Sequence, residues 1–363
     1  MHIRMKGTTR LLLCMLIIST LFFSACGRKM PEELLTIAMG VEPEALDPLF
    51  MTSAPAATVS EHITDRLVYM EEDGTISPML AQSWESNAAG DVWTFKIREG
   101  VYFQDGAKLN AAAVAMNLRR FIQPENEALY GFLLAHIESI ETPDEYTLQL
   151  YLTQPFAPIL AHLSHGFTGI VSPLQLQALE SGERIEKPIG TGPYQLVEWR
   201  HGEHILLERN PDYWGIPPKI ANIRFMFIPD ELERVLALES AKADVMSGVS
   251  PQYVIRLQSD PDIQVEFQNS VRTIFIGLNV QKEPFNNVLV RRALNYAIDK
   301  ERIVQTVFDG YFTVADSPLA DTVFGHSAAG IYGYSPQRAR YLLEQAGFPD
   351  GFSMVLDHPS GRY

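Results

Sequence analysis

Cysteine is almost absent from this chain of 363 residues. The two cysteines, Cys14 and Cys26, both lie near the amino terminus, and none follows in the rest of the sequence. The folded body therefore has no means of forming a disulfide, a cysteine-based zinc site or a cysteine nucleophile.

Long apolar runs are also scarce. The only one covers residues 11–23, LLLCMLIISTLFF, which is too short and ends too abruptly to span a bilayer as a permanent helix. Basic residues between positions 2 and 10 precede it, and the small Ser24 and Ala25 follow it. This three-part order is typical of a signal peptide and predicts cleavage just before Cys26.

The sequence at the predicted cleavage point, Phe23-Ser24-Ala25-Cys26, resembles the bacterial lipobox, with Phe23 where leucine is more usual. This resemblance implies that residues 1–25 are a lipoprotein signal peptide and that residues 26–33 are a tether. The Cys26 thiol would carry a diacylglycerol, and its freed amine could take a further acyl chain such as palmitate. The alternatives are an uncleaved anchor or a chance cysteine.

Positive charge is in the minority, with 29 Lys and Arg against 44 Asp and Glu and a net charge of −15. An acidic surface argues against nucleic-acid binding and against charge-driven docking on anionic lipid. The simplest interpretation of this charge is solubility outside the cell. The apolar fraction of 46% and the charged fraction of 20% are those of an ordinary globular protein.

Patterns that carry catalysis are missing as well. The sequence has no GxSxG, SxxK or HExxH motif, and the histidine pairs His162/His165 and His201/His204 lack an obvious third ligand. Residues 190–193, GTGP, lack the Lys-Ser/Thr that a phosphate loop requires. We therefore expect no catalytic residue, no cofactor and no resident metal.

Hydrophobic periodicity predicts a mixed α/β fold. Strands are predicted at residues 35–39, 92–98, 146–152, 223–228, 243–246 and 273–280, in a pair across 193–208, and at the start of 351–357. Helices are predicted at residues 57–70, 111–122, 156–163, 173–180, 231–240, 288–299 and 335–347. Residues 101–105 are predicted to form a hairpin with 92–98, and Asn110 is predicted to cap the helix that follows it.

An ordered series of short motifs runs from about residue 34 to the end of the chain. The motifs are Leu46-Asp47-Pro48, Pro78–Trp84, Trp93–Val101, Phe103–Gly106, Ile189–Tyr194, Asn210–Gly215, Asn279-Val280, Val290–Lys300 and Ala339–Phe348. Each motif is weak by itself, whereas their common order is specific. In this respect the chain resembles the extracytoplasmic solute-binding proteins of peptide and nickel ABC importers, solute-binding family 5.

The resemblance implies a two-lobe, periplasmic-binding-protein-like clam-shell of class α/β with an extra inserted subdomain. Residues 34–75 and 188–268 would form lobe I, residues 76–187 the inserted subdomain, and residues 269–363 a partial lobe II. Family members continue beyond residue 363, so lobe II is expected to be incomplete. A truncated product that folds only in part, with exposed apolar strand faces, is one outcome of this expectation.

The same resemblance implies a function. Ligand contacts from both lobes would favour a closed state, and the closed protein would deliver a small solute to the permease subunits of an ABC importer. The lipid on Cys26 would hold a monomeric receptor close to that permease on the outer face of the membrane. By alignment of the Leu-Asp-Pro motif, Thr52 and Ala54 would contact the ligand, with Tyr130 as a further candidate.

Three functions remain open at this point. Short peptides are the first expectation for the solute, because they are the commonest cargo of the family. A nickel or metallophore receptor is the alternative within the family, although residues 166–171, GFTGIV, lack the arginine that nickel-type members tend to carry. A lipid-anchored hydrolase is the alternative from another class, and the missing nucleophile pattern weighs against it.

Overall fold

A computed structural model describes residues 33–179 and 183–358 of the chain. The chain divides after Ser247 into two compact units, which are described one at a time. Cys26, the predicted signal peptide and all of the predicted tether except Glu33 lie outside the described residues.

The described part of the chain alternates between strands and helices. The strands are β1 (Leu34–Met39), β2 (Val68–Met70), β3 (Ile76–Pro78), β4 (Ala81–Ser86), β5 (Val92–Ile97), β6 (Ile137–Asp144), β7 (Thr147–Leu152), β8 (Tyr194–Arg200), β9 (His204–Arg209), β10 (Asn222–Phe227) and β11 (Val245–Met246). The helices are α1 (Ala54–Ser60), α2 (Ala111–Ile122), α3 (Ile159–Leu163), α4 (Pro173–Ala178), α5 (Glu231–Glu239), α6 (Pro251–Gln258), α7 (Val288–Ala297), α8 (Lys300–Val307) and α9 (Pro336–Gln345).

The first unit contains a five-stranded sheet in the order β11-β1-β10-β9-β8. The first strand runs parallel to β10 and β11, whereas β8, β9 and β10 form an antiparallel meander. Alternate residues of β9 and β10, such as Ile205, Leu207 and Phe225, are fully buried in one core. This alternation confirms the strands predicted at 35–39 and 223–228 and the strand pair across 193–208.

The first unit also contains a four-stranded antiparallel sheet in the order β4-β5-β7-β6. Helix α2 packs against it, and its Val114 and Leu118 share the core of Phe95 and Leu148. Asn110 caps the helix as predicted, because its Oδ1 accepts the backbone N–H of Ala113 at 2.8 Å.

The predicted helix at 57–70 is wrong beyond Ser60. Helix α1 ends there, and Val68–Met70 forms a strand paired with Ile76–Pro78. The carbonyls of His62 and Ile63 accept the backbone N–H groups of Tyr194 and Gly192, each at 2.9 Å, rather than those of a further helical turn. A long-range pairing of backbone groups therefore replaces the local helix. Of the apolar residues that suggested the helix, Val59, Ile63 and Leu67 are buried, whereas Met70 is exposed.

The predicted hairpin between 92–98 and 101–105 is also wrong. Strand β5 pairs with β4 on one side and β7 on the other. Residues 101–103 instead fold back on 107–109, through the turn at Asp105-Gly106 and an isolated bridge between Tyr102 and Lys108. Sequence proximity suggested residues 101–105 as the partner, whereas both edges of β5 are already paired, with β4 on one side and with β7, which is distant in sequence, on the other. Phe95 and Ile97 of β5 are buried on one face, and Lys96 is exposed on the other.

The second unit is helical in its described residues. Helices α7 and α9, both predicted, pack against each other, and their small or branched residues Val290, Ala293 and Ala339 are buried. Asn287 caps α7, because its Oδ1 accepts the backbone N–H of Leu289 at 2.9 Å.

The strands predicted at 273–280 and 351–357 are not formed. Neither segment has a strand assignment, and Ile274, Phe275 and Ile276 are all exposed, Phe275 by 78%. Alternating side chains only define two faces, whereas a strand also requires a neighbour that satisfies its backbone N–H and C=O groups. Among the described residues these segments have no such neighbour.

Candidate functional site: the loop after the first strand

The candidate site is the loop that leaves β1 and enters α1, residues 40–53. The loop ends where Ser53 caps α1 with a hydrogen bond from the backbone N–H of Ala56 to its Oγ at 3.3 Å. Three acidic residues in the loop, Glu42, Glu44 and Asp47, each accept several hydrogen bonds, which fixes the shape of a segment that has no regular secondary structure.

Asp47, from the Leu-Asp-Pro motif, is fully buried. Its two carboxylate oxygens accept from Arg120 Nη1 at 3.1 Å and from Arg120 Nη2 at 3.0 Å, which makes a bidentate ion pair with the end of α2. The backbone N–H groups of Leu49 and Ile185 complete its environment at 3.1 and 3.0 Å. A buried carboxylate is stable in this position because donors surround it.

Glu44 accepts hydrogen bonds from both donors of Thr52. Its carboxylate accepts from the backbone N–H and the hydroxyl of Thr52, and from the backbone N–H and the hydroxyl of Ser53, the latter two at 3.0 and 2.5 Å. Burial raises the pKa of Glu44, but the donors from Ser53 and Thr52 outweigh burial and lower it overall. The carboxylate is therefore ionised near neutral pH, and a ligand that uses Thr52 as a donor must compete with it.

Tyr130 lies in a cluster of rings beside this loop. Its ring is 4.4 Å from that of Phe167 in an edge-on arrangement and 5.8 Å from that of His165 in a stacked one. Met51 and Ala56 pack in the same cluster as Tyr130 and Phe167. Burial lowers the pKa of His165, and the nearby charge of Arg66 lowers it further, so this imidazole is neutral near pH 7.

The predicted ligand residues thus occupy one local region of the first unit. Thr52 and Ala54 are exposed, and the residues around them, Met51 and Ala56, contact the cluster that contains the half-buried Tyr130. Sequence reasoning did not identify Glu44, Arg120, His165 or Phe167. No local pattern marks these residues, because each acts through a partner that is distant in sequence or not part of a motif.

The Gly-Thr-Gly motif at 190–192 serves close packing. A Cβ at Gly192 would lie 2.6 Å from the carbonyl carbon of Ile63, and a Cβ at Gly190 would collide with the carbonyl oxygen of the same residue. Gln104 bridges the two segments: its Nε2 donates to the Tyr194 carbonyl at 2.8 Å, and its Oε1 accepts from the Gly190 N–H at 3.2 Å. The motifs Phe103–Gly106 and Ile189–Tyr194 therefore form a single backbone junction.

A second buried carboxylate lies next to this junction. Asp65 Oδ2 accepts from the hydroxyl of Thr191 and from the indole N–H of Trp214, both at 2.8 Å, whereas its Oδ1 has no partner. Burial raises the pKa of Asp65, and the hydrogen bonds oppose this rise only in part. Burial and the charge of Asp65 also raise the pKa of Tyr213. The aromatic turn at 210–215 is held through this contact.

Two kinds of feature are absent from the described residues. Within 33–179 and 183–358, no three His, Cys, Asp or Glu side chains are grouped as metal ligands would be. In the same part of the chain, no helix combines the length and apolar character needed to cross a membrane.

The chain is similar to known binding proteins over most of its length. Residues 75–361 match the family described as bacterial extracellular solute-binding proteins, family 5 Middle. The glutathione-binding protein GsiB of Salmonella typhi is 32% identical over 326 residues, which are 89% of this chain and 63% of GsiB. GsiB of Escherichia coli K12 is 30% identical over 342 residues, 93% of this chain and 66% of GsiB. The chain therefore spans slightly less than two thirds of the length of these relatives.

Solved structures agree with this assignment. The ABC transporter-associated periplasmic binding protein DppA of Helicobacter pylori, in complex with the peptide STSA, has a TM-score of 0.77 at 30% identity over 88% of this chain and 67% of DppA. NikA of Brucella suis, in complex with Fe(III)-EDTA, has a TM-score of 0.78 at 30% identity over 86% of this chain and 64% of NikA. The predicted α/β periplasmic-binding-protein fold class is confirmed.

The family match also distinguishes between the two classes of function considered, a solute-binding protein and a hydrolase. The matched family and these relatives are solute-binding proteins, so the alternative of a lipid-anchored hydrolase is not supported. Motif order, fold and the matched residues agree, and the chain belongs to the bacterial extracellular solute-binding proteins of family 5.

Proposed function

We propose that this protein is an extracytoplasmic, lipid-anchored receptor that delivers a small solute to the permease of an ABC importer. Closure of two lobes around the solute would create the form that docks on the permease. The observation that carries this proposal is family membership over 75–361, together with a DppA relative described as ABC transporter-associated.

The proposed lobes are supported by the composition of the two sheets. The five-stranded sheet takes its strands from 34–39 and from 194–246, whereas the four-stranded sheet comes entirely from 81–152. This order fits a lobe I made of 34–75 and of the chain from 188 to 247, with an inserted subdomain at 76–187, whereas residues 248–268, which the resemblance also assigned to lobe I, lie in the second compact unit. Residues 269–363 would then belong to lobe II. The proposal also includes that the receptor acts as a monomer.

Short peptides are the proposed solute. The DppA structure contains a tetrapeptide, and GsiB is named for glutathione, itself a tripeptide. At the candidate site, the exposed Thr52 and Ala54 lie on an edge whose neighbouring residues pack with Tyr130. Exposed residues next to aromatic rings suit a peptide, which offers apolar side chains for contact with the rings and amide groups that compete with Glu44 for the donors of Thr52.

A nickel or metallophore complex is the second candidate. The NikA structure, at 30% identity, contains a metal chelate, which favours this alternative. Residues 166–171 carry no arginine for the carboxylates of a chelator, and Phe167 and Thr168 in that segment are buried. Peptides therefore remain the first proposal.

Isothermal titration of the purified chain tests both solutes. The panel comprises glutathione, Met-Leu, Ser-Thr-Ser-Ala and Ni²⁺ with L-histidine. We expect heat from at least one peptide, and an affinity about tenfold or more lower in Tyr130→Ala, because an aromatic contact is lost. Tyr102→Ala is the matched control, since this tyrosine is exposed and lies outside the cluster. Heat from the nickel complex alone would replace peptides with the second candidate, and no heat from any probe would count against the proposal.

Membrane attachment requires a separate test. We expect the full chain, expressed in a bacterium with lipoprotein processing, to label with radioactive palmitate and to fractionate with the membrane. Cys26→Ser should abolish both results, whereas Cys14→Ser should abolish neither. Equal labelling of Cys26→Ser and the unaltered chain would contradict lipidation at this position.

A further inference from the structure

The ion pair between Asp47 and Arg120 joins three segments of the first unit. Asp47 belongs to the loop after β1, Arg120 to the last turn of α2, and Ile185, whose N–H donates to Asp47 Oδ2, to the segment that returns towards β8. The Arg120 side chain is only 15% exposed, and that of Asp47 is fully buried. The carboxylate has four donors within 3.1 Å, so its position is defined from three directions.

Each of these segments leads directly to the candidate site. Thr52 and Ala54 follow Asp47 within seven residues. In the turn between them, the N–H of Leu49 donates to the Asp47 carboxylate and the N–H of Phe50 donates to the Asp47 carbonyl. The guanidinium of Arg184, next to Ile185, lies 4.5 Å from the ring centre of Phe50. The third segment therefore covers the same loop that the ion pair fixes.

The segment from Arg120 to Tyr130 is short, and hydrogen bonds within it hold its shape. Asn126 donates from Nδ2 to the Arg120 carbonyl at 3.0 Å, and the N–H of Gly131 donates to the Ala128 carbonyl at 3.0 Å. At Gly131, a Cβ would lie 3.0 Å from the carbonyl oxygen of Phe121, so this turn packs closely against the end of α2. A displacement of Arg120 would consequently move the segment that contains Tyr130.

We infer that the Asp47–Arg120 pair is a positioning device, which sets the separation between the Thr52–Ala54 edge and Tyr130 and thereby the affinity for solute. A bidentate guanidinium–carboxylate pair defines distance and orientation together, whereas a single hydrogen bond defines only distance. Desolvation of the two charges offsets much of the attraction in a buried pair, so a contribution to net stability does not by itself account for this one. This inference rests on the proposed solute-binding function of the same edge.

Arg120→Lys is the decisive variant, because it keeps the charge and loses the parallel pair of hydrogen bonds. Asp47→Asn, which keeps the shape and loses the charge, is the second variant. Hydrogen exchange of the folded proteins is measured first. We expect backbone amides at 48–54 and 124–133 to exchange about tenfold faster or more in either variant, with unchanged exchange in the β8–β9 hairpin.

Solute affinity is measured next, with whichever panel probe the unaltered chain binds and at a temperature where each variant is fully folded. We expect an affinity about tenfold lower in Arg120→Lys. Asn117→Ala is the matched control on the same helix: Asn117 is buried, and its side-chain hydrogen bonds go to Ala113 and Val171 and not to a residue of the loop after β1. This control should lower the melting temperature and leave the affinity and the exchange at 48–54 unchanged.

Two results would overturn the inference. One is Arg120→Lys with exchange and affinity like those of the unaltered chain. The other is an equal loss of affinity in Asn117→Ala, which would assign the effect to general destabilisation. If the unaltered chain binds no probe, the proposed function fails, and exchange at 48–54 and 124–133 still decides whether the pair holds both segments.

Discussion

Trp214 donates its indole N–H to Oδ2 of Asp65 at 2.8 Å, across 149 positions of sequence. The contact connects the aromatic turn at 210–215 to the segment that follows α1. It also leaves a buried carboxylate with an unpartnered Oδ1 beside the backbone junction of the first unit. Several properties of this unit follow from such contacts between motifs that are far apart in sequence.

The first prediction concerns the charge of Asp65. Burial raises its pKa in the folded state above the ordinary 3.8, so the neutral acid is favoured and this group's stabilisation is complete below about pH 3.8. That stabilisation is lost as pH rises through the folded pKa, by about 1.4 kcal/mol for each pH unit between the two pKa values. Asp65→Asn cannot ionise, so its free energy of unfolding should improve relative to the unaltered chain from pH 4 to pH 8.

Urea unfolding at several pH values measures this difference. Asp73→Asn is the control, and its free energy of unfolding relative to the unaltered chain should change with pH in the opposite direction. The reason is that hydrogen bonds from Thr75 lower the pKa of the exposed Asp73. A difference between Asp65→Asn and the unaltered chain that stays constant with pH would show that Asp65 does not titrate in this way.

The second prediction concerns the two glycines of the 190–192 motif. Gly192→Ala places a Cβ 2.6 Å from a backbone carbonyl carbon, and backbone atoms cannot move aside as a flexible side chain can. We expect a loss of about 3 kcal/mol or more of unfolding free energy, or failure to fold. Gly333→Ala is the control, since its Cβ meets no atom within 4 Å, and should change stability by less than about 0.5 kcal/mol. Equal stability of the two variants would contradict the close packing.

The third prediction concerns Gln104. Its amide bonds backbone groups of Gly190 and Tyr194, with longer contacts to two further carbonyls. Gln104→Ala leaves these groups unsatisfied in a half-buried position and should cost about 2 kcal/mol in denaturant unfolding. Gln195→Ala removes an exposed hydrogen bond to Glu208 and should cost less than about 0.5 kcal/mol. A smaller loss for Gln104 than for Gln195 would exclude the bridging role.

The fourth prediction concerns Glu42 and the turn between β8 and β9. Burial raises the pKa of Glu42, but hydrogen bonds from Trp199, His201 and the N–H of Gly202 lower it overall below the ordinary 4.5. The stabilisation is therefore present above about pH 4.5 and is lost as pH falls through the folded pKa, the opposite sign to Asp65. Glu42→Gln should cost about 0.5–1 kcal/mol at pH 7 and less on acidification.

Tryptophan fluorescence during urea unfolding measures this effect, because Trp199 donates to Glu42 at 2.8 Å. Glu203→Gln is the control on the same turn, where the ion pair with Arg200 is exposed and contributes little. A cost for Glu42→Gln that grows on acidification would reverse the assigned sign.

Much of the fold was predictable where the determining pattern is local. The alternation in β5 and β10 and the helical stripes of α2 and α7 depend on side-chain period alone, and the structure has all four elements. Strands β4 and β6 were missed because most of their residues are polar and exposed, so that no alternation of apolar residues marks them. Helices α6 and α8 were also missed, and α8 has no buried residue that would mark an apolar face.

The candidate site was predictable only in outline. Thr52, Ala54 and Tyr130 followed from a family resemblance, and their roles remain proposals. The residues that shape the region, Glu44 and Arg120, have no local signature, because a carboxylate that accepts from a loop looks the same in sequence as one in solvent.

The sequence by itself determined the family, the mixed α/β class and the elements whose hydrophobic period is complete within one segment. Only the tertiary structure decided that the chain after Ser60 pairs with 192–194, and that Asp47, Arg120 and Ile185 meet. The physical reason is the same in both cases. Periodicity records which face of a segment is buried, whereas backbone groups and charges take whichever partners the folded chain brings within bonding distance.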